Sequence, residues 1–255
     1  MRTLIKLGGT LLDTPDVRDR LAGEIAKLAN SGREVVVVHG GGRQMTQYLA
    51  ERGVESKFVN GLRVTGPETL DAVVKVLAGS VNRELVAALV RAGARAVGLS
   101  GVDANMVEAE QMDPALGAVG RVVRAHPELV DLLLANGYLP VVACVAGDRQ
   151  GRMYNVNADQ MAVACASGFG VRQLLFLTDV DGVLDASGTV RPVLSLAESE
   201  RLIADGVAKG GMRAKLDAAG CALRDGVREI RIAPGAMPGI IERLLAGESV
   251  GTTLQ

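Results

Sequence analysis

The sequence predicts an α/β domain on a mainly parallel sheet, and three observations carry that reading. Short runs rich in Val, Ile and Leu alternate with longer segments of helical periodicity. Most of these runs are continuously apolar, which suits parallel strands buried on both faces. Glycine and polar clusters follow the runs repeatedly, at the carboxyl ends of strands where open parallel sheets bind ligands.

In chain order, strands are predicted over Thr3–Leu7, Glu34–Val38, Ala96–Leu99, Leu139–Val145, Gln173–Thr178 and Glu229–Ile232. The first predicted helix, Arg18–Ala29, places Leu21, Ile25 and Leu28 on one stripe, and a long one runs from Glu68 to Arg91. Further helices are predicted over Pro127–Ala135, Ala158–Ser167, Leu196–Ala204, Met212–Arg224 and Pro238–Leu245. Met106–Met112 and Gly120–Arg124 read as a small antiparallel hairpin on the surface. No repeat, low-complexity segment or Pro/Ser linker interrupts the chain. A single domain over residues 1–255 is therefore expected, with a soft lobe boundary near Gly168–Val171.

Composition narrows the function classes. The chain is 48% apolar but only 2% aromatic and has no Trp, so its core is aliphatic. A flat ligand ring must lie against Val, Leu, Ile or Met. A net charge of −1 leaves no electrostatic footprint for nucleic acid or an anionic membrane. No apolar run reaches the roughly 18 residues of a membrane span, and "TLIKL" carries a lysine where a signal peptide would be apolar. The three cysteines, Cys144, Cys165 and Cys221, are widely spaced and lack C-x-x-C pairing. They are expected to be small buried hydrophobes in a reducing, cytoplasmic setting.

The glycine clusters carry the chemistry. "KLGG" (Lys6–Gly9) places a lysine ahead of its glycines, the reverse of a P-loop. "HGGG" (His39–Gly42) ends a strand and leads into a helical pattern, so glycine amides and a helix N-terminus can meet an anion. An esterase oxyanion hole has the same letters but needs a G-x-S-x-G elbow; "GLSGV" (Gly98–Val102) lacks the last glycine. With His126 as the only other histidine, a Ser–His–acid triad has little to build on. No G-x-G-x-x-G is present, and no His/Cys/Asp/Glu cluster has metal-ligand spacing. Singly, Lys6 reads equally as a snorkelling strand residue, Lys215 as a solvated charge, and Arg63 as a loop residue paired to a surface carboxylate. In "NVNADQ" (Asn155–Gln160) either asparagine can cap a helix, but capping hardly accounts for all its polar residues. Asp179 and Asp181 in "TDVDGV" are turn residues or the edge of a nucleotide site.

Taken in order and spacing, "KLGGT", "VVVVHGGGRQ", "NGLRVT", "GLSGVD", "NVNADQ", "TDVDGV" and "GGMRAK" resemble the amino acid kinase family over nearly the whole chain. Within that family, "NGLRVT" and "NVNADQ" resemble the branch that acts on N-acetyl-L-glutamate in arginine biosynthesis. The resemblance implies a three-layer α/β/α sandwich around a mostly parallel sheet of about eight strands. It implies an N-terminal lobe (about 1–170) for the acyl amino acid and a C-terminal lobe (about 171–255) for ATP, whose Mg²⁺ travels on the nucleotide. By the same resemblance, Lys6 and Lys215 stabilise the transferring phosphoryl group and Asp159 orients them. Gly8, Gly9, Gly41 and Gly42 surround the phosphoryl group and substrate carboxylates, and Arg63 and Asn155 hold the α-carboxylate and amide. The resemblance also assigns Thr178, Asp179, Gly182, Val183 and Leu184, with Lys209 and Met212, to the nucleotide site. Arg213-Ala214 and "VVACVAGD" depart from the family pattern without touching a matched catalytic residue. A different acyl acceptor, N-succinylglutamate or a carrier-bound aminoadipate, is the alternative, as is a catalytically silent sensor, although both lysines and the aspartate are retained. Relatives inhibited by arginine carry an extra helix before the first strand, for which Lys6 comes too early. A homodimer insensitive to arginine, joined through the long Glu68–Arg91 helix, is expected.

Overall fold

The computed structural model describes residues 1–255. The N-terminal part contains β1 (Thr3–Leu7), α1 (Gly9–Leu12), α2 (Pro15–Asn30), β2 (Val35–His39), α3 (Gly42–Ala50), β3 (Phe58–Val59) and β4 (Leu62–Arg63). There follow α4 (Pro67–Val73), a π-helical segment (Val74–Val81), α5 (Asn82–Arg91), β5 (Ala96–Ser100), β6 (Val107–Gln111) and β7 (Val119–Ala125). Next come α6 (Glu128–Ala135), β8 (Leu139–Ala143), β9 (Val145–Gly147), β10 (Met153–Val156) and α7 (Ala158–Gly168). The chain closes with β11 (Gln173–Thr178), β12 (Val193–Leu194), α8 (Leu196–Ala204), α9 (Gly210–Arg224), β13 (Glu229–Pro234), α10 (Ile240–Leu245) and β14 (Thr252–Leu254).

Eight strands form one sheet in the order β12-β14-β13-β11-β1-β2-β8-β5, parallel throughout except where β14 runs against β13. This is the expected mostly parallel sheet, and its central strands are the continuously apolar ones. Successive side chains along a strand face opposite ways, and the core divides accordingly. Leu4, Val36, Val38 and Phe176 join a cluster of 33 residues with α7 and α9, while Ile5, Leu7, Val35 and Val37 join one of 31 with α2, α3 and α5. Such even division means that neither sheet face meets water, which is why period-2 alternation is missing from the sequence. Pro at the first turn starts α2 and α4, a Ser195–Glu198 capping box starts α8, and Asn157 caps α7. No helix is long and apolar enough to cross a membrane.

Four expectations are corrected. The long helix spans 67–91 without a break but turns π-helical over Val74–Val81. The pair β6–β7 is antiparallel as expected, yet it is not a surface hairpin. It closes with β9 and β10 into a four-stranded barrel whose inward Val107, Ala109 and Val119 are buried. The predicted strand Leu139–Val145 is two strands, β8 and β9, because the chain leaves the main sheet at Cys144 for the barrel. Cys144 and Cys165 are buried, but Cys221 is exposed on the outer side of α9.

Candidate active site

Lys6 lies on β1 at the middle of the sheet, opposite Val38 of β2 and Phe176 of β11. It shares the face of Leu4 and so points toward α7 and α9. Asp159 is the second residue of α7, held there by the Asn157 cap, whose side-chain oxygen accepts from the Asp159 and Gln160 amides. Its two carboxylate oxygens face two ammonium groups: Lys6 Nζ stands 2.7 Å from Oδ1 and Lys215 Nζ, on α9, 2.9 Å from Oδ2. All three side chains are at most 14% exposed. Burial works to raise the Asp159 pKa, but the charges of Lys6 and then Lys215, with their hydrogen bonds, outweigh it and hold the carboxyl below its ordinary range. One carboxylate between two ammoniums leaves the group with a net positive charge.

Beside Lys6 the turns after β1 and β2 come together. A Cβ on Gly9 would stand 3.0 Å from both Gly41 N and Gly42 N, so a side chain there would have to push the second turn away. Gly8 and Gly40 tie the turns to the sheet, their N–H groups donating hydrogen bonds to the Leu177 and Leu7 carbonyls. The amides of Gly9, Gly41 and Gly42, in contrast, have no acceptor in the protein. Three donors and a nearby positive charge make an anion cradle.

The cradle opens into a cleft of about 220 Å³ lined by Lys6, Gly9, Gly41 and Gly42 and, farther out, by Arg63 and Asn155. Arg63 does not sit in an irregular loop. Asn60 and Gly61, with φ of 50° and 79°, make a two-residue turn between β3 and β4 that sets Arg63 opposite Phe58. The guanidinium packs over the Phe58 ring, 4.6 Å from its centroid, and donates to the Gly42 carbonyl, Thr46 and Ser56. Burial lowers its pKa, but from a value so high that it stays charged. Asn155 is on β10, not the helix, and donates to Thr65 Oγ1.

The remaining expected residues lie outside this cleft. Thr178 ends β11 beside Gly8 and donates to Asp179. Gly182 has a φ of 153° and packs against Thr252 and Val190, so its turn admits no side chain. Val183 is buried, and both its backbone groups are paired, the amide to Thr252 Oγ1 and the carbonyl to the Arg191 amide. Any role for Val183 is therefore to support the loop from beneath. Leu184 is exposed, Lys209 is the extended residue that precedes α9, and Met212 rests on the core. Sequence reasoning missed Met45, Phe58, Leu77 and Cys144, which line the apolar side of the cleft. The Asn-Gly pair was a usable signal for Phe58; the other three carry none.

These features agree with what the chain is similar to. The model of the amino acid kinase family matches residues 1–234. An acetylglutamate kinase from Solibacter usitatus (strain Ellin6076) is 66% identical over 254 residues, covering 100% of this chain and 99% of that protein. Another, from Koribacter versatilis (strain Ellin345), is 42% identical over 252 residues, covering 96% and 97% respectively. A solved N-acetylglutamate synthase from Neisseria gonorrhoeae, complexed with coenzyme A and N-acetyl-glutamate, superposes with a TM-score of 0.88 at 25% identity; this chain is covered to 99% but spans only 59% of that one. With its sheet, its glycine turns and its sequence in agreement, the chain belongs to the amino acid kinase family.

Proposed function

We propose that the chain transfers the γ-phosphoryl group of ATP to the γ-carboxylate of N-acetyl-L-glutamate, yielding N-acetyl-L-glutamyl 5-phosphate and ADP in arginine biosynthesis. The observation that carries this reading is Asp159 held between Lys6 and Lys215 beside three unpaired glycine amides. The names and near full-length match of the two bacterial relatives support it.

The chemistry follows from charge. A carboxylate with a pKa near about 4.3 is ionised at neutral pH and needs no general base. A carboxylate oxygen forms the new bond to phosphorus, and the bond to the bridging oxygen of ADP breaks, its electron pair leaving with ADP. No proton moves, which fits a cleft without a histidine. The barrier lies in bringing two anions together, so catalysis is positioning plus stabilisation of the equatorial oxygens. Lys6 and Lys215 meet those oxygens, and the Gly9, Gly41 and Gly42 amides donate to them. Asp159, engaged at both oxygens, sets the spacing of the lysines and accepts no proton. No group of three His, Cys, Asp or Glu side chains is placed to hold a metal; Mg²⁺ fits as part of the nucleotide, where it neutralises phosphate charge. Arg63 binds the α-carboxylate and Asn155 the acyl amide. Thr178, Asp179, Gly182, Leu184, Lys209 and Met212 form the nucleotide side, in a C-terminal lobe from about residue 171.

A homodimer through the 67–91 helix is part of the proposal. It is supported by Val90 exposed on α5 and by β5, an edge strand paired only on one side. A sizing column should give about twice the 26.5 kDa chain mass. For the activity, ADP release is measured with N-acetyl-, N-succinyl- and unacylated glutamate. The acetylated acceptor should give the highest kcat/KM; no turnover with it, or a preference for another acceptor, rejects the assignment.

A further inference from the structure

We propose that His39 is a positioning residue: as a neutral ring protonated on Nδ1, it pins the Gly40 carbonyl and so aims the Gly41 amide into the anion cradle. The proposal rests on the phosphoryl-transfer reading of that cradle.

His39 is the last residue of β2 and is fully buried. It shares the sheet face of Val35 and Val37, opposite the face that carries Lys6. Its Nδ1 lies 2.9 Å from the Gly40 carbonyl oxygen, and a carbonyl only accepts, so Nδ1 carries a proton. Its Nε2 lies 3.0 Å from Asn82 Nδ2. Two other neighbours fix which way Asn82 points. Its Nδ2 is 3.0 Å from the Val141 carbonyl, and its Oδ1 receives a bond from Arg83 Nη2 at 2.6 Å. Asn82 therefore presents an N–H to Nε2, which must accept, and the ring is a single neutral tautomer. Burial brings the His39 pKa down to about 4, against the bond to Gly40 and with help from the Arg83 charge.

This polar pair takes space that aliphatic side chains fill elsewhere in the sheet. On β5, which lies beyond β8 from His39, a Cβ on Gly98 would stand 2.0 Å from Asn82 Oδ1 and 2.1 Å from Arg83 Nη2. The glycine of "GLSG", which the site itself does not use, is what makes room for the network.

The consequence is geometric. The Gly40 carbonyl and the Gly41 N–H belong to one planar trans peptide, so fixing the oxygen fixes the hydrogen on the opposite side. Three successive glycines have no side chains to hold that peptide plane, and their backbone freedom is large. The His39 bond supplies the restraint from outside the cleft. Gly41 N, 3.0 Å from a Cβ built on Gly9 and without an acceptor, is then a preorganised donor.

The test has two arms. With only two histidines in the chain, ring ¹⁵N signals from labelled protein are readily assigned. Between about pH 6 and pH 8 the His39 ring should show a protonated Nδ1 and a bare Nε2; a proton on Nε2, or an imidazolium, overturns the proposal whatever the enzyme phosphorylates. In the second arm, His39→Leu should lower kcat roughly 10- to 100-fold with little change in either KM, as expected for a misaimed donor. His39→Asn, whose side-chain N–H reaches the Gly40 carbonyl from the Nδ1 position, should recover most of the loss. Should His39→Leu not fold, His39→Gln, whose amide reaches toward the Nε2 position, takes its place with the same expectation. A kcat within about threefold of the unsubstituted chain, or an equal loss in the Asn variant, overturns the positioning role. Failure of the unsubstituted chain to phosphorylate any acceptor instead rejects the functional reading and leaves the ring result to stand by itself.

Discussion

Lys6, Asp159 and Lys215 show how burial changes the meaning of a charge. At the surface a Lys–Asp pair contributes little; here both lysines are held against a carboxylate that burial would otherwise neutralise. Lys6→Ala or Lys215→Ala is expected to cut kcat by about 10²-fold, the loss of one preorganised transition-state charge. Steady-state kinetics check this, and near-normal turnover in both variants would refute the mechanism. Arg63→Ala should chiefly raise KM for the amino acid, because its guanidinium lines the cleft and its charge is the one proposed to hold the α-carboxylate. Asp159 also carries a pH signature. Its folded pKa is depressed, so its contribution to stability is present above the unfolded value of about 3.9 and is lost as pH falls through the folded value. The urea midpoints of the unsubstituted chain and Asp159→Asn should therefore differ at about pH 7, and the gap should narrow as the pH falls below about 3.9. A constant gap would mean that the carboxylate charge does not stabilise the fold.

At the scale of elements, the site is made by strand ends and glycine turns. Gly9 is where the two turns meet backbone to backbone: an alanine Cβ there would come within 3.0 Å of the Gly41 and Gly42 nitrogens, which cannot swing away as a side chain can. Gly9→Ala should push the two turns apart and lower kcat by roughly 10²-fold while the thermal midpoint moves little; a kcat loss matched by a large fall in midpoint would assign Gly9 to folding instead. Much of this level was legible in the sequence. The runs at Thr3–Leu7 and Gln173–Thr178 became β1 and β11 with the predicted ends, because a buried parallel strand is announced by continuous aliphatic composition. The N-cap of α7 was legible to within two asparagines, and contact with the Asp159 and Gln160 amides selects Asn157. The β3–β4 hairpin has its turn signal in "VNGL" but no strand signal beside it, since two-residue strands bury too little to leave a pattern. The π-helical turn of Val74–Val81 left no mark at all. Side-chain periodicity of an apolar helix does not distinguish the two windings over so short a span.

Across the whole molecule, the two-faced core sorts residues that composition treats alike. The sequence treats all three cysteines alike, yet Cys144 and Cys165 are buried in one core cluster and Cys221 lies at the surface. Burial pushes the Cys144 thiol up to about 12 and raises Cys165 as well, while Cys221 faces solvent. A thiol reagent should label one cysteine quickly in the native chain and all three after denaturation; fast native labelling of a second would mean that the cleft or core opens readily. The sequence by itself determined the fold class, the order of strands and helices, and the motifs that would furnish a site, because hydrophobic period and backbone preference act within a few residues. Only the tertiary structure decided that Lys6 and Lys215 share one carboxylate, that Arg63 hangs on a hairpin, and that His39 and Asn82 support the glycine turn from behind. Those contacts depend on the sheet order β11-β1-β2-β8-β5 and on which face each strand residue takes. Strand order is set by the summed packing of both cores, which no local stretch of sequence contains.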